Sequence, residues 1–239
     1  MKIGWQHFFF LLFIINFSIL SCKRNSSGPE VQKPDAPIIV QKSAENSVSE
    51  KGVDTIPEMN AIFFEWRSPR AEVQGWNVYK KKAESGSFQF LTNVSNVDTS
   101  FIDQNVSVGI RYWYYVTAVG LNGRESQPSD TVDYKLLEKA NSLSNTLDVR
   151  PVFEWNTSGI APIFYILRLY ENPQQKPIWI TEISPGYQGQ RETVNFNSDG
   201  SAVETSLEKN KTYSWRVDEI GSEANSGSES HWKVFTVPE

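Results

Sequence analysis

The feature that most constrains this 239-residue chain is a pattern that occurs twice. Glu65-Trp66 returns as Glu154-Trp155, Trp76 as Tyr165, Val78 as Leu167, and Leu91-Thr92-Asn93-Val94-Ser95 as Ile180-Thr181-Glu182-Ile183-Ser184, each 89 positions later. Farther on, Val106 and Tyr112 return as Leu207 and Tyr213 at a spacing of 101, so the second copy carries twelve additional residues between these blocks. Each tyrosine opens a run of alternation: Tyr112, Tyr114, Val116, Ala118 in one copy and Tyr213, Trp215, Val217, Glu219 in the other. Residues two apart on a strand share a face, so such a run presents one apolar face that must be covered.

Several alternating strands at short spacing, with turn residues between them, require an antiparallel sandwich. The length suits two domains of ordinary size, the aromatic share is 13%, and no long stretch after the N-terminus has helical periodicity. The expected fold class is all-β, with sandwiches over 37–137 and 145–239. Trp66, Trp76 and Tyr112 in the first copy, and Trp155, Tyr165, Tyr213 and Trp215 in the second, are the expected core. Glu219 stands where the alternation expects an apolar side chain.

The first copy resembles the fibronectin type III family. The resemblance rests on Pro37, Trp66, Gly75-Trp76-Asn77-Val78-Tyr79 and Tyr112-x-Tyr114-x-Val116-x-Ala118-Val119, followed by Gly123, Ser126 and Ser129. It implies an immunoglobulin-like sandwich in which Tyr112 and Tyr213 pin their strands through hydroxyl bonds at a corner. The second copy is similar but looser.

Residues 1–21 have a positive start at Lys2, an apolar run from Phe8 to Leu20 broken by Asn16 and Ser18, and then Ile19-Leu20-Ser21-Cys22. That layout is a secretory signal. Its last four residues resemble the lipobox of bacterial lipoproteins, which implies cleavage before Cys22 and acylation of its thiol. Cys22 is the only cysteine, so no intrachain disulfide can form, and acylation would consume a thiol that is otherwise a liability outside the cytoplasm. An uncleaved anchor is the rival reading; Phe8–Leu20 would span about 20 Å as a helix against the roughly 30 Å of a bilayer core. Residues 22–36 are polar and carry prolines, as a lipidated cysteine with a disordered tether would. The expected location is the cell envelope.

The net charge of −5 and the absence of a basic stripe argue against nucleic acid; Lys80-Lys81-Lys82 reads as a solvated strand end. Outside the signal there is one histidine, His231, in what reads as the last strand. With no partner for it in sequence, no P-loop, no G-x-G-x-x-G and no G-x-S-x-G, the chain is expected to be neither an enzyme nor a carrier of a metal or other cofactor. Glu45, Glu50, Asp54 and Glu58 read as a solvated loop before Trp66. Three features suggest binding. Tyr79, Trp113 and Tyr115 should share the outer face of the first copy, suited to a sugar ring or to a partner domain. Tyr187 and Arg191 fall in the additional segment of the second copy, readable as a binding loop or as an extra edge hairpin. Asn122-Gly123 marks a hairpin turn followed by Arg124. The expected function is a membrane-anchored, non-enzymatic binding or spacer module whose partner is another envelope protein; the alternative is an adhesive lipoprotein that binds a glycan through the outer aromatics.

Overall fold

The computed structural model describes residues 33–68, 73–84, 86–186 and 191–239. Every regular element among them is a strand: β1 (Ile38–Ile39), β2 (Asp54–Ile56), β3 (Met59–Arg67), β4 (Gly75–Lys82), β5 (Gln89–Ser95), β6 (Ser100–Asp103), β7 (Arg111–Val119) and β8 (Val132–Leu136), then β9 (Asn141–Asn145), β10 (Val152–Asn156), β11 (Phe164–Glu171), β12 (Lys176–Ile183), β13 (Arg191–Asn195), β14 (Thr212–Ile220), β15 (Ser226–Glu229) and β16 (Lys233–Thr236). The described chain is all-β and builds two sandwiches.

Two separate cores follow from the alternation. In the first, Phe64 and Trp66 from β3 meet Trp76 and Val78 from β4 and Tyr112, Tyr114 and Val116 from β7. In the second, Phe153 and Trp155 from β10 meet Tyr165, Leu167 and Leu169 from β11 and Tyr213, Trp215 and Val217 from β14. All seven aromatic residues expected in the cores are buried. Each corner tyrosine accepts a hydrogen bond from a backbone N–H five residues earlier: Ser107 to Tyr112 at 3.2 Å and Glu208 to Tyr213 at 3.0 Å.

The covering sheets are β1-β3-β2 with β6 in the first sandwich and β13-β10-β9 in the second. Because β13 pairs with β10 as β6 pairs with β3, β13 is the counterpart of β6 and not an additional hairpin. Phe101 opposite Phe64 and Val194 opposite Phe153 are 93 positions apart. Four of the additional residues therefore precede β13 and eight follow it.

The other two sheets are continuous with each other. A nine-stranded sheet runs β12-β11-β14-β15-β8-β7-β4-β5, with β16 beside β14, and crosses from one sandwich to the other where β15 and β8 pair in parallel. Lys135 N–H donates to Asn225 O and Leu137 N–H to Gly227 O, both at 2.9 Å. Gly227 permits this approach, since a Cβ there would lie 2.6 Å from Glu219 O and 3.0 Å from the Tyr134 hydroxyl.

Two interruptions shape the junction. The first strand of the first sandwich breaks into β1 and β2, which pair with opposite ends of β3 and leave residues 40–53 as a projecting segment. The last strand of the second sandwich breaks into β15 and β16, both paired with β14. At that break Ser230 Oγ accepts the Val217 N–H at 2.9 Å, replacing a ladder bond. Ser126 and Ser129 do the same for Ala118 and Val116 beside β7. His231 therefore lies not within the last strand but in its break, exposed beside Trp232.

Candidate functional site

Glu45, Glu50, Asp54 and Glu58 were expected in a solvated loop; Glu50 and Glu58 are exposed, but segment 40–53 also docks on the face of β11 and β14 that is turned away from the second core. Alternation puts Leu167, Leu169, Trp215 and Val217 in that core, so Arg168, Arg216 and Asp218 point the other way, where a sheet face would ordinarily meet water. All three are buried, the Arg168 side chain with 2% of its surface exposed. Its Nε lies 2.7 Å from Asp218 Oδ2 and 3.0 Å from Glu50 Oε1, and its Nη atoms donate to the carbonyls of Ser47, at 2.7 Å, and of Glu45. Arg216 Nε lies 2.8 Å from Asp218 Oδ1, and its Nη2 pairs with Glu229 at 2.9 Å and with Glu50.

Neighbouring groups extend this cluster. Lys139 donates to Ile56 O at 2.7 Å and Glu229 O at 2.6 Å, tying both sandwiches to the connector. Lys42 pairs with Asp54 at 2.7 Å and with Glu45 at 3.0 Å, while the Tyr134 hydroxyl donates to Asp54 at 3.1 Å. Burial, reinforced by Asp218, raises the Glu229 carboxyl against the pull of Arg216. Burial also raises Glu50 and brings Lys139 down to about 8. Burial alone would favour neutral Arg216, but Asp218, Glu229 and Glu50 outweigh it and hold the guanidinium charged. Oxygens of Glu50, Asp218 and Glu229 converge within 4.8 Å of one another, a spacing that suits a cation. Here the two guanidiniums supply the positive charge, and the arrangement is a clamp.

The opposite side of the junction is held as well. Arg111 pairs with Asp133 and reaches Glu223 at 3.0 Å and Ala224 O at 2.9 Å, in the turn between β14 and β15; Lys135 adds a 2.5 Å contact to Glu223.

The outer aromatics of the first sandwich are engaged with one another. Tyr79 and Tyr115 stack at 4.7 Å and 18°, Phe88 tilts onto Tyr115 at 4.7 Å, and Phe90 meets Tyr79 edge-on at 5.8 Å. Lys81 lies over Trp113, 4.4 Å from its centroid. Glu125 closes the cluster by accepting from Asn77, Tyr79 and Thr117; these donors hold its carboxyl below the usual range against the effect of burial. Phe90, at 57% exposure, is the most open ring of the row. Lys80 is not solvated: it lies 2.6 Å from Asp103 and over the Tyr112 ring.

The structure does not bring Arg191 to this face. It lies on β13 of the second sandwich and pairs with Glu154. Cys22, Ile19, Leu20, Ser21 and Tyr187 lie outside the described residues. The eight residues that follow β13 are fastened to β12: Asp199 accepts from Trp179 Nε1 at 2.9 Å, Thr181 Oγ1 at 2.7 Å and Ser201 Oγ at 2.7 Å. Against burial, these donors hold its carboxyl at about 2. At Asn122-Gly123 the chain turns as expected, with Gly123 at φ 73° and its N–H donating to Gly120 O.

Strand order and cores together define a chain of fibronectin type III-like sandwiches. No family model matches it. An amylopullulanase of Thermoanaerobacterium saccharolyticum is 32% identical over 132 residues, 53% of this chain, and the chain spans about a tenth of that protein's length. A two-domain fibronectin type III segment of chicken tenascin is 12% identical, covers 87% of this chain and all of its own, and superposes with a TM-score of 0.33. A fibronectin type III-like protein of Clostridium thermocellum is 20% identical over 43% of this chain and 92% of its own, also with a TM-score of 0.33.

Proposed function

We propose that this chain is a non-catalytic envelope lipoprotein, anchored through an acylated Cys22, whose two sandwiches form a rigid unit that spaces and presents a surface to a partner protein. The observation that carries the reading is the junction: a sheet continuous through both sandwiches, clamped by buried arginines on one side and by the Arg111 and Lys135 pairs on the other. Tandem domains joined only by a linker are expected to move relative to each other, and a buried, bonded interface removes that freedom.

The anchor is tested by labelling cells with a radioactive fatty acid: native chain should carry label and Cys22→Ala should not, and label in both or in neither would dismiss it. Rigidity is tested separately by spin labels at exposed Glu182 and Gln89, for which a single narrow distance distribution is expected. A broad one would refute the spacer. The alternative, a glycan held on Tyr79, Trp113 and Tyr115, has less support, because those rings already pack against each other and under Lys81.

A further inference from the structure

The break between β15 and β16 takes Trp232 out of the strand, and Trp232 lines two clefts. The first, of about 560 Å³, lies between the sandwiches and is lined by Asn60 of the first, Asn141 of the connector strand, and Ser158, His231, Trp232 and Lys233 of the second. The other, of about 350 Å³, is lined by Asn172, Gln175, Ser214, Trp232 and Val234. Both volumes fall within the roughly 300–1,000 Å³ of small-molecule sites. We propose that these clefts bind a neutral oligosaccharide that runs past Trp232, with sugar units in both clefts. The proposal goes beyond the anchored-spacer reading and does not depend on it.

Three observations point to that ligand. First, the ring is fixed before anything binds: Tyr170 meets it edge-on at 5.7 Å, and the Arg216 guanidinium, itself locked in the clamp, lies 4.9 Å from its centroid. An indole held in place offers apolar surface to the C–H face of a sugar at little cost in conformational freedom. Second, amides and hydroxyls line both clefts beside the ring and are already oriented. Asn141 Nδ2 donates to Ser158 Oγ at 2.7 Å and its Oδ1 accepts from Ser142 at 3.0 Å; in the other cleft, Gln175 and Ser214 donate to Asn172 Oδ1 at 2.6 and 3.3 Å. An amide has two donors and two acceptor sites, so these bonds set direction without exhausting capacity, and they match the vicinal hydroxyls of a sugar. Third, the charges favour a neutral ligand. Exposed Glu138 and Lys233 on the rim of the larger cleft oppose each other, and the Lys139 ammonium is turned to two backbone carbonyls.

A peptide would instead require an apolar socket for a side chain, and apart from Trp232 the linings offer only Ala140, Leu143 and Val234. The break that frees Trp232 also positions it between sandwiches, so the site exists only in the joined form of the chain.

The test is calorimetric titration of the full chain in detergent with maltohexaose, cellohexaose, xylohexaose and N-acetylchitohexaose. At least one should bind, with Trp232→Ala weakening it by about tenfold or more. Asn141→Ala and Gln175→Ala, which leave the ring and clamp in place, should weaken it to a smaller degree with unchanged circular dichroism, and Trp113→Ala should match the native chain. Absence of binding to all four sugars, undiminished binding by Trp232→Ala, or loss in Trp113→Ala alone would overturn the proposal. So would binding of a mixed tryptic peptide pool without sugar binding, which would assign the clefts to a protein partner.

Discussion

Arg168→Ala isolates what the clamp contributes. Arg168 is buried, holds Asp218 at 2.7 Å and Glu50 at 3.0 Å, and satisfies the carbonyls of Ser47 and Glu45. Truncation leaves buried Asp218 with Arg216 as its remaining cation and the Ser47 and Glu45 carbonyls without their donor, and breaking a buried, hydrogen-bonded pair in this way costs about 3–5 kcal/mol. In urea, with a slope near 3 kcal/mol/M for a chain of this size, the unfolding midpoint should fall by roughly 1 to 1.7 M. The loss should persist in molar salt, because screening acts weakly on buried pairs. Backbone amide exchange should quicken in residues 43–51, which the arginine fastens to the second sandwich. A loss below about 1 kcal/mol, the range of exposed ion pairs, would refute the reasoning.

Further predictions concern the cores. Glu219 is fully buried, no donor meets either oxygen at bonding geometry among the described residues, and burial raises its carboxyl to about 8. The folded state therefore binds a proton that the unfolded state releases near 4.5. This group's stabilising contribution is complete below pH 4.5 and is lost as pH rises toward 8, by a few kcal/mol. Glu219→Gln should flatten that part of the melting-temperature profile and be the more stable chain at pH 8.5, and an unchanged profile would contradict the assignment. Tyr112→Phe and Tyr213→Phe should each cost about 1 kcal/mol in urea melts by leaving the Ser107 and Glu208 N–H groups without their acceptor. Trp66→Ala and Trp155→Ala should each cost about 3–5 kcal/mol, seen as loss of near-ultraviolet dichroism from the sandwich concerned.

The cores were legible because burial in a strand is written locally. A residue and its neighbour two places on share a face whatever lies elsewhere in the chain, so Trp66, Trp76 and Tyr112, and their counterparts Trp155, Tyr165 and Tyr213, declare themselves by spacing. Glu219 also stood out as an exception, though its environment did not. The additional segment was harder, because β13 alternates like any strand and only its pairing with β10 shows that it replaces a strand already present in the first copy.

Sequence by itself thus determined that the chain is all-β, that it repeats, and which side chains fill each half. What only the tertiary structure decided is how the halves meet. The partner of Glu50 lies more than a hundred positions away, on a strand face that alternation assigns to solvent, and the surface that covers that face comes from the other sandwich. Periodicity reports which way a side chain points; it carries no information about what arrives from a distant part of the chain to bury it. The junction, and with it the clefts beside Trp232, arises from two broken strands and one parallel pair of edges, whose matching depends on shape and charge in three dimensions.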